Sequence, residues 1–80
     1  MLADRVGRVR IRSNLSGEVE IRVKVGDTIY SGQMIAVVES DNELESLSVR
    51  KPSVIEEIFV QTGTEVDAGT LLMSVRELEE

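Results

Sequence analysis

Eighty residues, 41% of them hydrophobic and 30% charged, make one soluble globular domain with a modest core and no room for a deep catalytic cleft. The formal net charge of -6 argues against nucleic acid or an anionic membrane as the main partner, because phosphate binding needs clustered Lys and Arg. The absence of cysteine and histidine removes disulfides, thiolate nucleophiles, imidazole acid/base chemistry and Cys-based zinc sites, and fits a reducing compartment.

From Arg8 to Arg12 the chain alternates Arg, Val, Arg, Ile, Arg, placing Val9 and Ile11 on one face of a strand and three arginines on the other. That basic face is read as a solvated exterior; the sharper alternative is a docking patch for an acidic protein. Gly7 marks a bulge or loop end before it. The charge is uneven along the chain: Arg5, Arg8, Arg10 and Arg12 stand against Asp4 at the start, whereas residues 39–80 hold eleven acids against Arg50, Lys51 and Arg76. A head-to-tail electrostatic match, within the fold or with a partner, is one consequence.

Ser13 to Gly17 is a turn-rich connector. Glu18 to Val25 then alternates cleanly, with Val19, Ile21, Val23 and Val25 on one side and Glu18, Glu20, Arg22 and Lys24 on the other, which predicts a half-buried antiparallel strand over 18–25. Gly26-Asp27 and Ser31-Gly32 supply turns. The apolar run Met34 to Val38 is a strand far too short to span a bilayer, and the N-terminus has no apolar secretion core, so a cytoplasmic or equivalent soluble location is expected.

That strand runs into Glu39-Ser40-Asp41-Asn42-Glu43-Leu44-Glu45, a polar hairpin tip with Asn42 at its apex. Ser40, Asp41 and Asn42 suit the positive backbone angles of a tight turn and bond their own main chain readily. The return strand is expected over about 44–50. Pro52 separates it from a strand over 54–60, and the charged end, Arg76 to Glu80, is expected to fray. Tyr30 and Phe59 are read as packing residues.

The second half repeats the first. Val23 to Ile35 aligns with Val60 to Leu72, and Gly26 with Gly63 and Gly32 with Gly69 share one offset of 37 residues. Two such units cannot make a solenoid, so the economical structure is a closed pair of small sheets with approximate twofold symmetry, seven or eight short strands and essentially no helix. The tip lies between the repeats, and the corresponding point of the second repeat, near Glu77, is where this chain ends. The four glycines read as turn residues, not as a phosphate loop.

The ordered set Val23-Lys24-Val25-Gly26-Asp27-Thr28-Ile29, Gly32-Gln33, Ala36 to Asp41, Pro52, Val54 to Val60, Gly63, Val66, Gly69 and Leu72 resembles the biotinyl/lipoyl attachment domains. The resemblance runs over about residues 13–75 of a single domain spanning 1–80. It implies an all-β flattened barrel of two four-stranded antiparallel sheets, with a lipoate or biotin arm borne on a lysine at the hairpin tip. Ser53 departs from a usual glycine, and Thr64 from a frequent acid. The lipoyl branch has Glu-x-Asp-Lys-Ala at the tip and the biotinyl branch Glu-Ala-Met-Lys-Met. Here Glu39 and Asp41 match the lipoyl form, and Asn42 stands at the lysine position.

A carboxamide nitrogen has its lone pair delocalised into the carbonyl and does not attack an activated acyl group, so no lipoate or biotin is expected on Asn42. The two lysines, Lys24 and Lys51, lie away from the tip. Three functions follow from the resemblance: a noncatalytic binding or structural module without its acceptor, a swinging-arm carrier domain with that position substituted, and an assembly module like the lipoyl-type domains of efflux adaptors. None is an enzyme. Glu39, Asp41, Glu43 and Glu45 are the residues expected to meet a protein partner, such as an enzyme of a lipoate- or biotin-dependent complex. Their spacing lacks the glycine-centred loop of an EF-hand, so they read as a solvated acidic hairpin and not as a metal site.

Overall fold

The computed structural model describes residues 7–78, which form eight strands and, among those residues, no helix. The strands are β1 (Arg8–Arg12), β2 (Gly17–Ile21), β3 (Thr28–Ile29), β4 (Met34–Glu39), β5 (Leu44–Ser48), β6 (Ser53–Ile58), β7 (Glu65–Val66) and β8 (Leu71–Glu77). They build two antiparallel four-stranded sheets, one ordered β1-β8-β6-β3 and the other β5-β4-β2-β7. Replacing β1–β4 by β5–β8 turns the first order into the second. The repeat legible in the glycines is therefore a near-twofold symmetry of the whole fold.

The symmetry extends to individual hydrogen bonds. Arg22 N donates to Ile35 O at 3.0 Å in one half, and Phe59 N to Leu72 O at 2.8 Å in the other. Gly26 N to Ile55 O is matched by Gly63 N to Val19 O, both at 2.8 Å. These pairs mark where the chain leaves one sheet and joins the other, after β2 and again after β6. A one-residue irregularity also separates the halves: β1 maps onto β5 at an offset of 36 (Arg8 to Leu44), but β3 onto β7 at 37 (Thr28 to Glu65). The extra residue is Glu56, at a bulge where the β6–β8 register slips between Ile55 and Glu57.

The sheets enclose two apolar clusters. The larger gathers Ile29, Ile35, Ala36, Val49, Ile55, Met73 and Val75; the smaller gathers Val19, Val38, Val66 and Leu72. Four glycines, Gly26, Gly32, Gly63 and Gly69, adopt positive φ between 84° and 95°. Each is the third residue of a four-residue turn closed by a main-chain bond, as in Asp27 N to Lys24 O and Thr64 N to Gln61 O.

Several sequence expectations need correction. The strand predicted over 18–25 ends at Ile21, because residues 22–27 carry the chain across to the opposite sheet; Val23 still packs on the core, but Val25 is 60% exposed in the turn. The strands expected over 44–50 and 54–60 likewise stop at Ser48 and Ile58. Tyr30 and Phe59, 62% and 47% exposed, are not core residues: Tyr30 sits in a turn and Phe59 at a sheet-to-sheet crossing. Arg76 and Glu77 do not fray, since both belong to β8, and Glu77 N and Leu78 N donate to Gly7 O and Pro52 O at 2.6 and 2.8 Å. Glu79 and Glu80, like Asp4 and Arg5, lie outside the described residues.

Candidate functional site

The hairpin joining β4 to β5 is the feature that the rest of the fold holds out. Ser40 N donates to Glu43 O at 2.8 Å, closing a turn whose central residues are Asp41 and Asn42. The expectation of positive backbone angles is not met: among the described residues no non-glycine residue has positive φ. The Ser40 hydroxyl takes over the local bonding instead, accepting from Glu43 N at 3.1 Å and from Asn42 N at 3.4 Å.

Asp41, Asn42, Glu43 and Leu44 are all exposed, and the Asn42 side chain makes no hydrogen bond to another described residue. Glu39, the last residue of β4, is exposed as well. Glu45 differs: its carboxylate accepts from Asn14 N at 2.9 Å and from Asn14 Nδ2 at 2.5 Å, tying the connector after β1 to the hairpin. Of the four acids assigned to partner recognition, Glu39, Asp41 and Glu43 are open to solvent, whereas Glu45 is engaged in holding the fold.

A groove of about 660 Å³ runs beside the tip, and the structure brings three acids there that sequence reasoning did not group with it. Glu18, Glu65 and Asp67 line it together with Glu39 and Asp41. Glu65, Glu18 and Glu39 are direct cross-strand partners on β7, β2 and β4. The 37-residue repeat makes β7 the equivalent of β3 but does not say which strand lies beside it; the pairing of β7 with β2 brings these acids together. Among the described residues no group of three or more acids is arranged to hold a metal ion.

Lys24 lies in the turn at 24–27, where its carbonyl accepts from Asp27 N and its amide donates to Asp27 Oδ2. Lys51 precedes Pro52, and its carbonyl accepts from the Ser53 hydroxyl at 2.8 Å. Both lysines belong to connections other than the β4–β5 hairpin.

Comparison with known proteins matches residues 10–75 to the Biotin_lipoyl family model, described as "Biotin-requiring enzyme". Among curated proteins, the dihydrolipoyllysine-residue acetyltransferase component of the pyruvate dehydrogenase complex matches from several organisms. The Haemophilus influenzae protein is 39% identical over 54 residues, 68% of this chain and 10% of that protein. The Pseudomonas aeruginosa protein is 29% identical over 58 residues, 72% of this chain and 11% of that protein. This chain thus spans about a tenth of the length of those relatives. Among solved structures, a single-chain, multi-domain long-chain acyl-CoA carboxylase superposes with a TM-score of 0.83 at 20% identity, over 94% of this chain and 8% of that one. The urea carboxylase of Kluyveromyces lactis superposes with a TM-score of 0.74 at 20% identity, over 85% of this chain and 6% of that one.

Proposed function

This chain belongs to the biotinyl/lipoyl attachment domain family, and from that premise we propose that it is a carrier-type domain whose acceptor position is held by Asn42, so that it acts as a noncatalytic binding module. The observation that carries the reading is the exposed apex of the β4–β5 hairpin, presented as a cofactor arm would be but ending in a carboxamide. Amide attachment of lipoate or biotin requires a nucleophilic amine. The carboxamide nitrogen does not supply one, and the residues at the tip do not fit the covalent group.

Its partner is a protein that meets the tip through Glu39, Asp41 and Glu43 and the groove beside it. Support comes from their exposure and from the relatives, which are named as components of the pyruvate dehydrogenase complex. A second reading, a swinging-arm carrier in which Asn42 is a substitution, is favoured by one observation. The tip keeps an exposed apex and a closed turn, geometry suited to an arm.

Intact mass after coexpression with a lipoate ligase, and separately with a biotin ligase, tests both. The parent is expected to gain no mass. One acyl group on Asn42→Lys would favour the substituted carrier, and no gain by either protein would favour the binding module. An adduct on the parent chain, at Lys24, Lys51 or elsewhere, would overturn the proposal.

A further inference from the structure

The near-twofold symmetry that relates the two sheets does not extend to their charge. On the outer face of the β5-β4-β2-β7 sheet, one cross-strand row reads Glu65, Glu18, Glu39, Leu44, all exposed, with Glu20 on the same face of β2. The equivalent row of the other sheet reads Thr28, Val54, Arg76, Arg8, with Arg10 and Arg12 completing the exposed face of β1. Glutamates on one exterior thus answer arginines on the other.

Like charges opposed directly across strands are destabilising. The basic side offsets this within the fold: Glu56, the bulge residue, places one carboxylate oxygen 3.5 Å from Arg8 Nε and the other 3.1 Å from Arg76 Nε. Glu57 follows it on the exposed surface. On the acidic side, among the described residues, Arg22 reaches Glu20 at 3.6 Å, and no cation lies within ion-pair distance of Glu18, Glu39 or Glu65. Arg8 and Arg76 share the single carboxylate of Glu56, whereas, among the described residues, Arg10 and Arg12 on the basic face and Glu18, Glu39 and Glu65 on the acidic face have no ion-pair partner within the chain.

The geometry points to a second copy of this chain as that partner, with the arginine face of one molecule stacked on the glutamate face of the next. The two sheets share strand order and, outside the bulge at Glu56, cross-strand register, so the arginine face has a strand arrangement like that of the face on which it would sit. The contact is heterologous: it uses two different surfaces and leaves one of each free, so it extends beyond a dimer as concentration rises. Held by exposed charges, it is weak and salt-sensitive.

Sedimentation velocity of the intact chain over a concentration series, in salt of about 20 mM and again of about 500 mM, reads this directly. The expected result is concentration-dependent association in low salt, weakened by about tenfold or more in high salt. Two charge-reversed variants, Glu18→Lys with Glu65→Lys and Arg8→Glu with Arg10→Glu, are each expected to stay monomeric alone and to form a complex when mixed. Circular dichroism confirms that each is folded, and the salt series on the parent chain decides the matter should a variant fail to fold. A parent chain monomeric in low salt at every concentration would overturn the inference. So would association that survives high salt or either reversal.

Discussion

Gly17 packs against the carbonyl of Glu39 so closely that a Cβ at position 17 would lie 2.3 Å from the Glu39 oxygen and 2.6 Å from its carbonyl carbon. The contact joins the start of β2 to the end of β4, where the chain turns into the hairpin tip. Both partners are backbone, so neither can swing aside as a flexible side chain would. Gly17→Ala is therefore expected to destabilise the fold by about 3 kcal/mol or more, as overpacking against a fixed neighbour does. Denaturant titration checks this, and unchanged stability would show that β2 and β4 separate freely at that point.

Glu45 and Asn14 make a second support for the tip. Their two hydrogen bonds link the connector before β2 to the start of β5, across 31 residues of sequence. The pair is exposed enough to exchange with water, so Glu45→Ala is expected to cost only about 1 kcal/mol. A double-mutant cycle with Asn14→Ala separates the link from partner binding: a coupling energy in the free protein assigns Glu45 to the fold, and none returns it to the open acids of the tip.

Ile35 and Leu72 are symmetry equivalents, each fully buried, one in each apolar cluster. Truncation of either to alanine is expected to cost about 2–5 kcal/mol, by loss of burial and by the cavity left behind. The larger cluster has bulkier side chains at equivalent positions, Ile29 against Val66 and Ile55 against Val19, and it also holds both Met73 and its equivalent Ala36, as well as Val49, whose equivalent is the polar Ser13. The flexible Met73 can move into space beside Ile35, so Ile35→Ala is expected to be the milder change. Thermal unfolding of the two variants side by side checks the ranking.

Much of this architecture is legible in the residues. Paired glycines at one offset mark turns that only positive φ satisfies, and the alternation in β1 and β2 marks a face turned to the core, so the eight strands and their symmetry follow from local chemistry. Alternation does not record which sheet a residue bonds. Glu18 to Val25 keeps its pattern while the hydrogen bonds of Arg22 and Gly26 go to opposite sheets, so the end of β2 was not readable. The acidic row had the same character, being invisible until the register set Glu65, Glu18 and Glu39 side by side. At the tip, Ser40 reads from sequence as a residue tolerant of unusual angles; its hydroxyl supplies bonds that make such angles unnecessary.

Ser40 and Asn42 are consequently expected to respond in opposite ways to substitution. The Ser40 hydroxyl is within bonding distance of three main-chain groups, accepting from Asn42 N and Glu43 N and donating to Glu43 O at 3.4 Å. Ser40→Ala leaves these groups to water at an exposed turn, so a loss of about 1 kcal/mol is expected. It should come with faster amide exchange confined to residues 41–43, because opening this turn exposes none of the core. The Asn42 side chain, by contrast, supports nothing in the fold. Asn42→Lys is expected to change stability by no more than about 0.5 kcal/mol, as exposed substitutions do when no special backbone angle is involved. The contrast bears on function: if the apex tolerates lysine at no cost, the asparagine there is not required for folding. Amide exchange measured on both variants and the parent decides it, and a substantial loss of stability in Asn42→Lys would instead make Asn42 a structural residue of the turn.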